Sequence, residues 1–189
     1  SLRRKIDLRQ SLKEANKFCG EYIPLKYKSR KDKHPPIVAI CDVSGSMTRY
    51  SRMLLHFMHV LTALRNDVHT FLFGTRLTNV TRFLRFKDVD EALAATSSAV
   101  EDWSGGTRIG DCLKEFNFNW SRRVLGPGAI VLFITDGLDR GGGIGLSKQV
   151  KLIQKSSKRL IWLNPLLRYE EFAPKPTGIK AILPHVDEF

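Results

Sequence analysis

Three short stretches carry the side chains best suited to chemistry: Asp42-Val43-Ser44-Gly45-Ser46, Gly106-Thr107 and Thr135-Asp136-Gly137. They offer the carboxylates of Asp42 and Asp136 and the hydroxyls of Ser44, Ser46 and Thr107. All are hard oxygen donors, with no cysteine or histidine among them, and such a set selects a hard divalent cation over zinc or copper. Mg²⁺ takes six oxygens at about 2.0–2.1 Å and keeps several waters. Ser44 and Ser46, two apart on a tight turn, can fill adjacent coordination positions, with Gly45 letting the backbone turn between them. Asp42 and Asp136 are then placed to bind metal-bound water or to orient the serines. A site dominated by neutral hydroxyls leaves the cation undercompensated, which favours a carboxylate from outside in its open position.

The elements around these stretches explain why they should meet. Ile37–Cys41 is a short, β-branched apolar run read as a buried strand, and Asp42–Ser46 ends it. Met47–Arg65 carries Tyr50, Met53, Leu54, Phe57, Met58, Leu61 and Leu64 at helical spacing. Strands are expected at Val68–Phe73, Leu77–Leu84, Ala129–Ile134 and Arg159–Leu163, and helices at Val89–Val100, Ile109–Trp120 and Leu146–Ser156. Strands alternating with helices, several of them apolar on both faces, predict a doubly wound α/β fold with a mostly parallel central sheet and helices on both faces. In such sheets the ligand site lies beyond the carboxyl ends of the strands, where the first strand and the strand at 129–134 deliver Asp42 and Asp136.

The D-x-S-x-S of Asp42, Ser44 and Ser46, with Thr107 and Asp136, resembles the metal-ion-dependent adhesion site of von Willebrand factor A (VWA) domains. Phe73–Thr78, Trp103–Gly110 and Ile161–Leu167 resemble segments of the CoxE-like family of these domains. The likeness covers roughly Ile37 to Phe189. It implies an antiparallel edge strand in the sheet, Mg²⁺ (or Mn²⁺ in its place) at the top, and a non-catalytic adaptor role. It further implies a MoxR-type AAA+ ATPase as partner, an acidic client protein, and maturation of a metalloenzyme such as carbon monoxide dehydrogenase. Arg49, Arg108 and Arg140 follow the three candidate loops and form an expected positive rim for an acidic partner.

Composition bounds the remaining readings. The 189 residues carry 42% hydrophobic and 26% charged side chains, an ordinary globular balance that excludes disordered and fibrous classes. Three cysteines without paired spacing give neither a disulfide framework nor a zinc clip, and point to a reducing, cytoplasmic setting. No apolar run approaches the roughly 18 residues of a membrane span. The formal charge is +12, and residues 1–33 hold eleven basic against four acidic side chains. Residues 1–36 therefore read as a basic N-terminal arm or linker with a short helix within 4–18, and 37–189 as the VWA domain. The arm keeps an RNA- or DNA-binding module open as the alternative, although only Tyr22 and Tyr27 lie near enough to stack on bases. Gly141–Lys148 lacks the spacing of a phosphate-binding loop, and no G-x-S-x-G elbow surrounds the serines. His56 and His59 are expected to pack or to face solvent, Cys41 and Cys112 to pack, Trp103 to anchor a partner or its own loop, and Asn164 to support the site.

Overall fold

The computed structural model describes residues 6–18, 22–27, 34–100, 106–139, 141, 145–165 and 177–189. Two compact units follow one another along the chain, Ser1–His34 and Pro35–Phe189. In the first, helix α1 spans Leu8–Ala15, shorter than the expected 4–18. Asp7 caps it by accepting the Gln10 N–H at 3.1 Å. The Asp7 N–H donates to the Lys26 carbonyl at 2.7 Å, and Ile6 bridges Tyr27 antiparallel, so the helix is tied to the strand-like 26–27 stretch.

The second unit is built on a five-stranded sheet of β1 (Ile37–Asp42), β2 (Val68–Phe73), β3 (Leu77–Asn79), β4 (Ile130–Ile134) and β5 (Arg159–Leu163). The order is β3-β2-β1-β4-β5, with β3 antiparallel at one edge and every other pairing parallel. Helices α2 (Thr48–Leu64), α3 (Val89–Ala99), α4 (Ile109–Asn119), α5 (Ser121–Val124), α6 (Leu146–Ser156) and α7 (Thr177–Ile182) surround it. Beyond the last helix, Trp162 N–H donates to the Glu188 carbonyl at 2.9 Å, so the C-terminus lies along the open side of β5.

Alternation along the strands divides the core. Val38, Ile40, Phe71, Phe73, Val131, Phe133, Leu160 and Trp162 pack with Leu113 and Phe116 of α4, Val150 and Ile153 of α6, and Ile179 and Ile182 of α7. Ala39, Cys41, Leu72 and Ile134 point the other way, onto Leu55 and Met58 of α2. Each fully buried Val, Leu, Ile, Phe or Met among them contributes about 1.5–3 kcal/mol, so both helical layers are held by the sheet's period of two. The chain leaves β1 toward one face and β4 toward the other, and β1 and β4 are neighbours. A crevice therefore opens at their carboxyl ends.

Four expectations need correction. The strand expected at Leu77–Leu84 ends at Asn79, and Phe83–Arg85 is a 3₁₀ turn. Helix α2 forms, but its buried face is Ser51, Leu55, Met58, His59 and Thr62, whereas Met53, Phe57 and Leu64 are exposed. Ser51 can face the core because the helix backbone satisfies it, its Oγ donating to the Met47 carbonyl at 3.0 Å. Gly45 has no left-handed φ and its Cβ position is open, so the serine turn does not depend on glycine. Helix α7 carries no strong hydropathy signal of its own in six residues and was not expected.

Candidate metal centre

β1 runs into Asp42, which is fully buried, and the chain then turns through the 3₁₀ residues Gly45–Met47 into α2. Asp42 Oδ1 accepts the Ser44 N–H at 2.8 Å, which folds the serine loop back over the strand end. Asp42 Oδ2 accepts the Thr135 hydroxyl at 2.7 Å, joining β1 to β4. Ser44 Oγ and Ser46 Oγ stand 3.3 Å apart, and Ser46 Oγ donates to Asp136 Oδ2. Asp136 Oδ1 accepts the Leu138 N–H at 2.9 Å, so the carboxylate is oriented from both sides. Four of the five expected residues thus form one connected cluster of oxygens.

Thr107, the fifth, is buried on the neighbouring loop, and the hydrogen bonds that join the other four do not include it. Its loop is fixed at two points. Arg108 N–H donates to the Gly74 carbonyl at 3.0 Å, and Ile109 N–H, opening α4, donates to Asp139 Oδ1 at 3.0 Å. Of the expected rim, Arg49 is exposed in the first turn of α2 and Arg108 is exposed before α4. Arg140 and Trp103 lie outside the described residues.

Three supporting residues escaped the sequence reading of the site. Thr135 shares its hydroxyl between Asp42 and the Gly137 N–H, the latter at 3.1 Å. Asp139 ties the strand-end loop to α4, and an acid three residues beyond Asp136 was the available signal. Trp162 is fully buried and its indole N–H donates to the Thr135 carbonyl at 3.0 Å. Asn164 does support the site, donating to the Asp136 carbonyl at 3.4 Å. Trp162→Phe leaves the Thr135 carbonyl without that donor and opens a void beside it. The expected cost is roughly 2–4 kcal/mol, read as a lower urea midpoint at unchanged slope.

The electrostatics follow from burial. Burial pushes the Asp42 carboxyl up to about 6, against the hydrogen bonds from Ser44 and Thr135, which favour its charged form, while the Asp136 charge adds to the rise. A buried carboxylate raised in this way gains from a nearby cation. Cys41 and Cys112 are buried thiols, each pushed up to about 12 chiefly by burial, and so are inert near neutral pH. His59 is packed, its Nε2–H donating to the Phe86 carbonyl at 2.9 Å.

The donor set fits a small hard cation. Adjacent ligands of an octahedral ion with bonds of about 2.0–2.1 Å lie roughly 3 Å apart, close to the 3.3 Å between the serine hydroxyls. Among the described residues no three His, Cys, Asp or Glu side chains gather at one place, so hydroxyls must carry much of any ligation.

This doubly wound sheet, with an antiparallel edge strand and an acid–serine cluster at the β1/β4 crevice, defines a VWA-type domain. The sequence matches the family of VWA domain containing CoxE-like proteins over residues 1–189, and the chain belongs to it. Among solved structures, proximal thread matrix protein 1 of the mussel byssus is similar at 19% identity and a TM-score of 0.53, over 80% of this chain and 41% of that one. A second crystal form of the mussel protein aligns at 19% identity and a TM-score of 0.50, over 70% and 38% respectively. An aerotolerance-related membrane protein from Bacteroides fragilis aligns at 18% identity and a TM-score of 0.45, over 77% and 79%. At these identities the mussel structures speak to the fold alone, and this chain spans about two fifths of their length. No curated protein matches the sequence. Among the described residues, no helix is long and apolar enough to cross a membrane.

Proposed function

We propose that this is a non-catalytic docking domain that binds a partner protein through a divalent cation. Ser44, Ser46 and Thr107 would ligate Mg²⁺, with Mn²⁺ able to replace it, and Asp42 and Asp136 would orient those hydroxyls and hold metal-bound water. The cation supplies an electrophilic position for an Asp or Glu of the partner. This chain's own residues set the rest. Asp42 and Thr135 lock the two strand ends together, Asp136 aims Ser46, and Arg49, Arg108 and Arg140 attract an acidic surface. The observation that carries this reading is the connected oxygen cluster of Asp42, Ser44, Ser46 and Asp136 at the crevice of a CoxE-like VWA domain.

The partner that suits the family is a MoxR-type AAA+ ATPase in the cytoplasm, acting with this chain on an acidic client in the maturation of a metalloenzyme of the carbon monoxide dehydrogenase kind. The test is a pull-down from lysate of the source organism, with and without nuclease, using wild type and Ser46→Ala. Ser46 is exposed, so its loss leaves the core intact. The expected result is an AAA+ ATPase retained in Mg²⁺, released by EDTA and absent with Ser46→Ala. Nucleic acid that survives EDTA and falls away with rising salt would instead move the function to residues 1–36.

A further inference from the structure

Helix α2 carries an apolar stripe that the fold leaves uncovered. Met53, Phe57, Val60 and Leu64 are 62%, 54%, 55% and 77% exposed. At 3.6 residues per turn they fall within about 60° of one another around the helix axis. They stand opposite the buried side of Ser51, Leu55, Met58 and Thr62. Leu54 and Leu61, partly buried, widen the stripe along one flank. Single exposed apolar side chains are ordinary, but four in one line form a patch on the order of 500 Å², near the top of what a soluble monomer shows.

The stripe is complementary to itself. Its spacing of four, three and four residues is that of the apolar seam between two paired helices, and it reads the same from either end. Laid antiparallel about a two-fold axis, two copies of α2 set Met53 against Leu64 and Phe57 against Val60, each pair occurring twice. The largest side chain of the stripe then meets the smallest. Charge selects the direction. Helix α2 has no acidic residue, Arg49 and Arg52 lie in its N-terminal half, and the exposed Asp67 follows its C-terminal end. An antiparallel pair sets the arginine end of one helix beside Asp67 and the negative dipole end of the other. A parallel pair brings the arginines of both copies together, which like-charge repulsion opposes.

We propose that the occupant of this face is a second copy of the chain, docked α2 on α2 in an antiparallel, isologous two-fold dimer. Two such patches bury roughly 1,000 Å² together, the lower bound for a specific interface. Association is therefore expected in the micromolar range and to be reversible. The spacing gives helices crossing at about 20°, with side chains of one helix seated between those of the other. The contact requires no cation and does not rest on the strand-end cluster.

Sedimentation velocity of the whole chain, in EDTA and at physiological ionic strength, tests the proposal with metal-bridged association removed. The wild-type protein is expected to pass from monomer to dimer as its concentration rises through the micromolar range. Phe57→Glu and, separately, Leu64→Lys should each weaken the dimer about tenfold or more. Both positions are exposed, so the thermal midpoint of the dilute protein should not move. Direction is read by mixing Met53→Cys with Leu64→Cys, each in a Cys19→Ser background, under mild oxidation. A disulfide joining the two variants should dominate over either variant joined to itself. A wild-type protein that stays monomeric at high micromolar concentration overturns the proposal and leaves the stripe to an unlike protein or a lipid surface. A dimer that survives both charge variants overturns it too, since the contact then lies elsewhere. Met53→Cys joined chiefly to itself overturns the antiparallel arrangement.

Discussion

In EDTA at pH 8, Asp42→Asn is expected to be more stable than the wild-type protein, yet to bind Mn²⁺ roughly 10–100-fold more weakly. The two effects have one cause. Asp42 is buried, and its carboxyl is raised from 3.8 to about 6, so the folded protein resists ionising it. A carboxyl whose folded pKa is raised gives stability that is fully present below about pH 4 and lost as the pH rises through about 6. The shift corresponds to roughly 3 kcal/mol. Asparagine keeps the shape, accepts the Ser44 N–H and can donate to Thr135 Oγ1, but leaves the Thr135 hydroxyl hydrogen without its present acceptor. About 1–2 kcal/mol of net gain at pH 8 should remain, near 3–6 °C in midpoint. Thermal melts in EDTA from pH 4 to 8 check this: the variant's advantage should shrink toward pH 4. A constant difference across that range would mean that Asp42 is not the buried charge described here. In saturating Mn²⁺ the variant's advantage should shrink by about 1.4–2.7 kcal/mol, the worth of a 10–100-fold affinity difference.

The strands that frame the site were legible because each is a short apolar run closed by turn chemistry: β5 matches its expected bounds, β4 starts one residue later, and β1 extends one residue further, into Asp42. The cluster itself was legible because D-x-S-x-S and T-D-G stand at the carboxyl ends of two parallel neighbours, where the topology must place them together. What hydropathy could not assign was which side of α2 faces inward. Met53, Phe57 and Leu64 are 62%, 54% and 77% exposed, while Ser51, whose hydroxyl donates to the Met47 carbonyl, is buried. A small hydroxyl that bonds its own helix behaves as a core residue, and a count of apolar side chains cannot see it. The support given by Thr135, Asp139 and Trp162 was hidden for a different reason: their hydrogen bonds cross between elements far apart in sequence. Helix α7 was missed because its place depends on backbone contact more than on an apolar stripe.

That contact makes Gly178→Ala the substitution expected to cost stability without touching a single donor of the cluster. A Cβ at Gly178 would stand 2.2 Å from the Gly137 carbonyl oxygen and 3.2 Å from its carbon, both backbone atoms that cannot swing aside. Gly137 cannot yield easily. Its φ is +78°, a region that favours glycine, and a Cβ there would itself meet Ile179 Cγ1 at 2.8 Å. Either the start of α7 must lift from the sheet, loosening Ile179 and Ile182 from the core, or the 135–137 loop must shift. The cost should be about 3 kcal/mol or more, read as a lower urea midpoint, whereas Gly45→Ala, with open space at its Cβ, should stay within about 0.5 kcal/mol. If the loop shifts, Asp136 moves with it and loses its alignment with Ser46, so Mn²⁺ affinity should fall as well. An unchanged midpoint for Gly178→Ala would show that α7 does not pack against Gly137. Where the loop yields, Gly178→Ala lowers stability and affinity together, while Asp42→Asn moves them in opposite directions. The pair therefore separates what the geometry of the strand-end loop contributes from what its charge contributes.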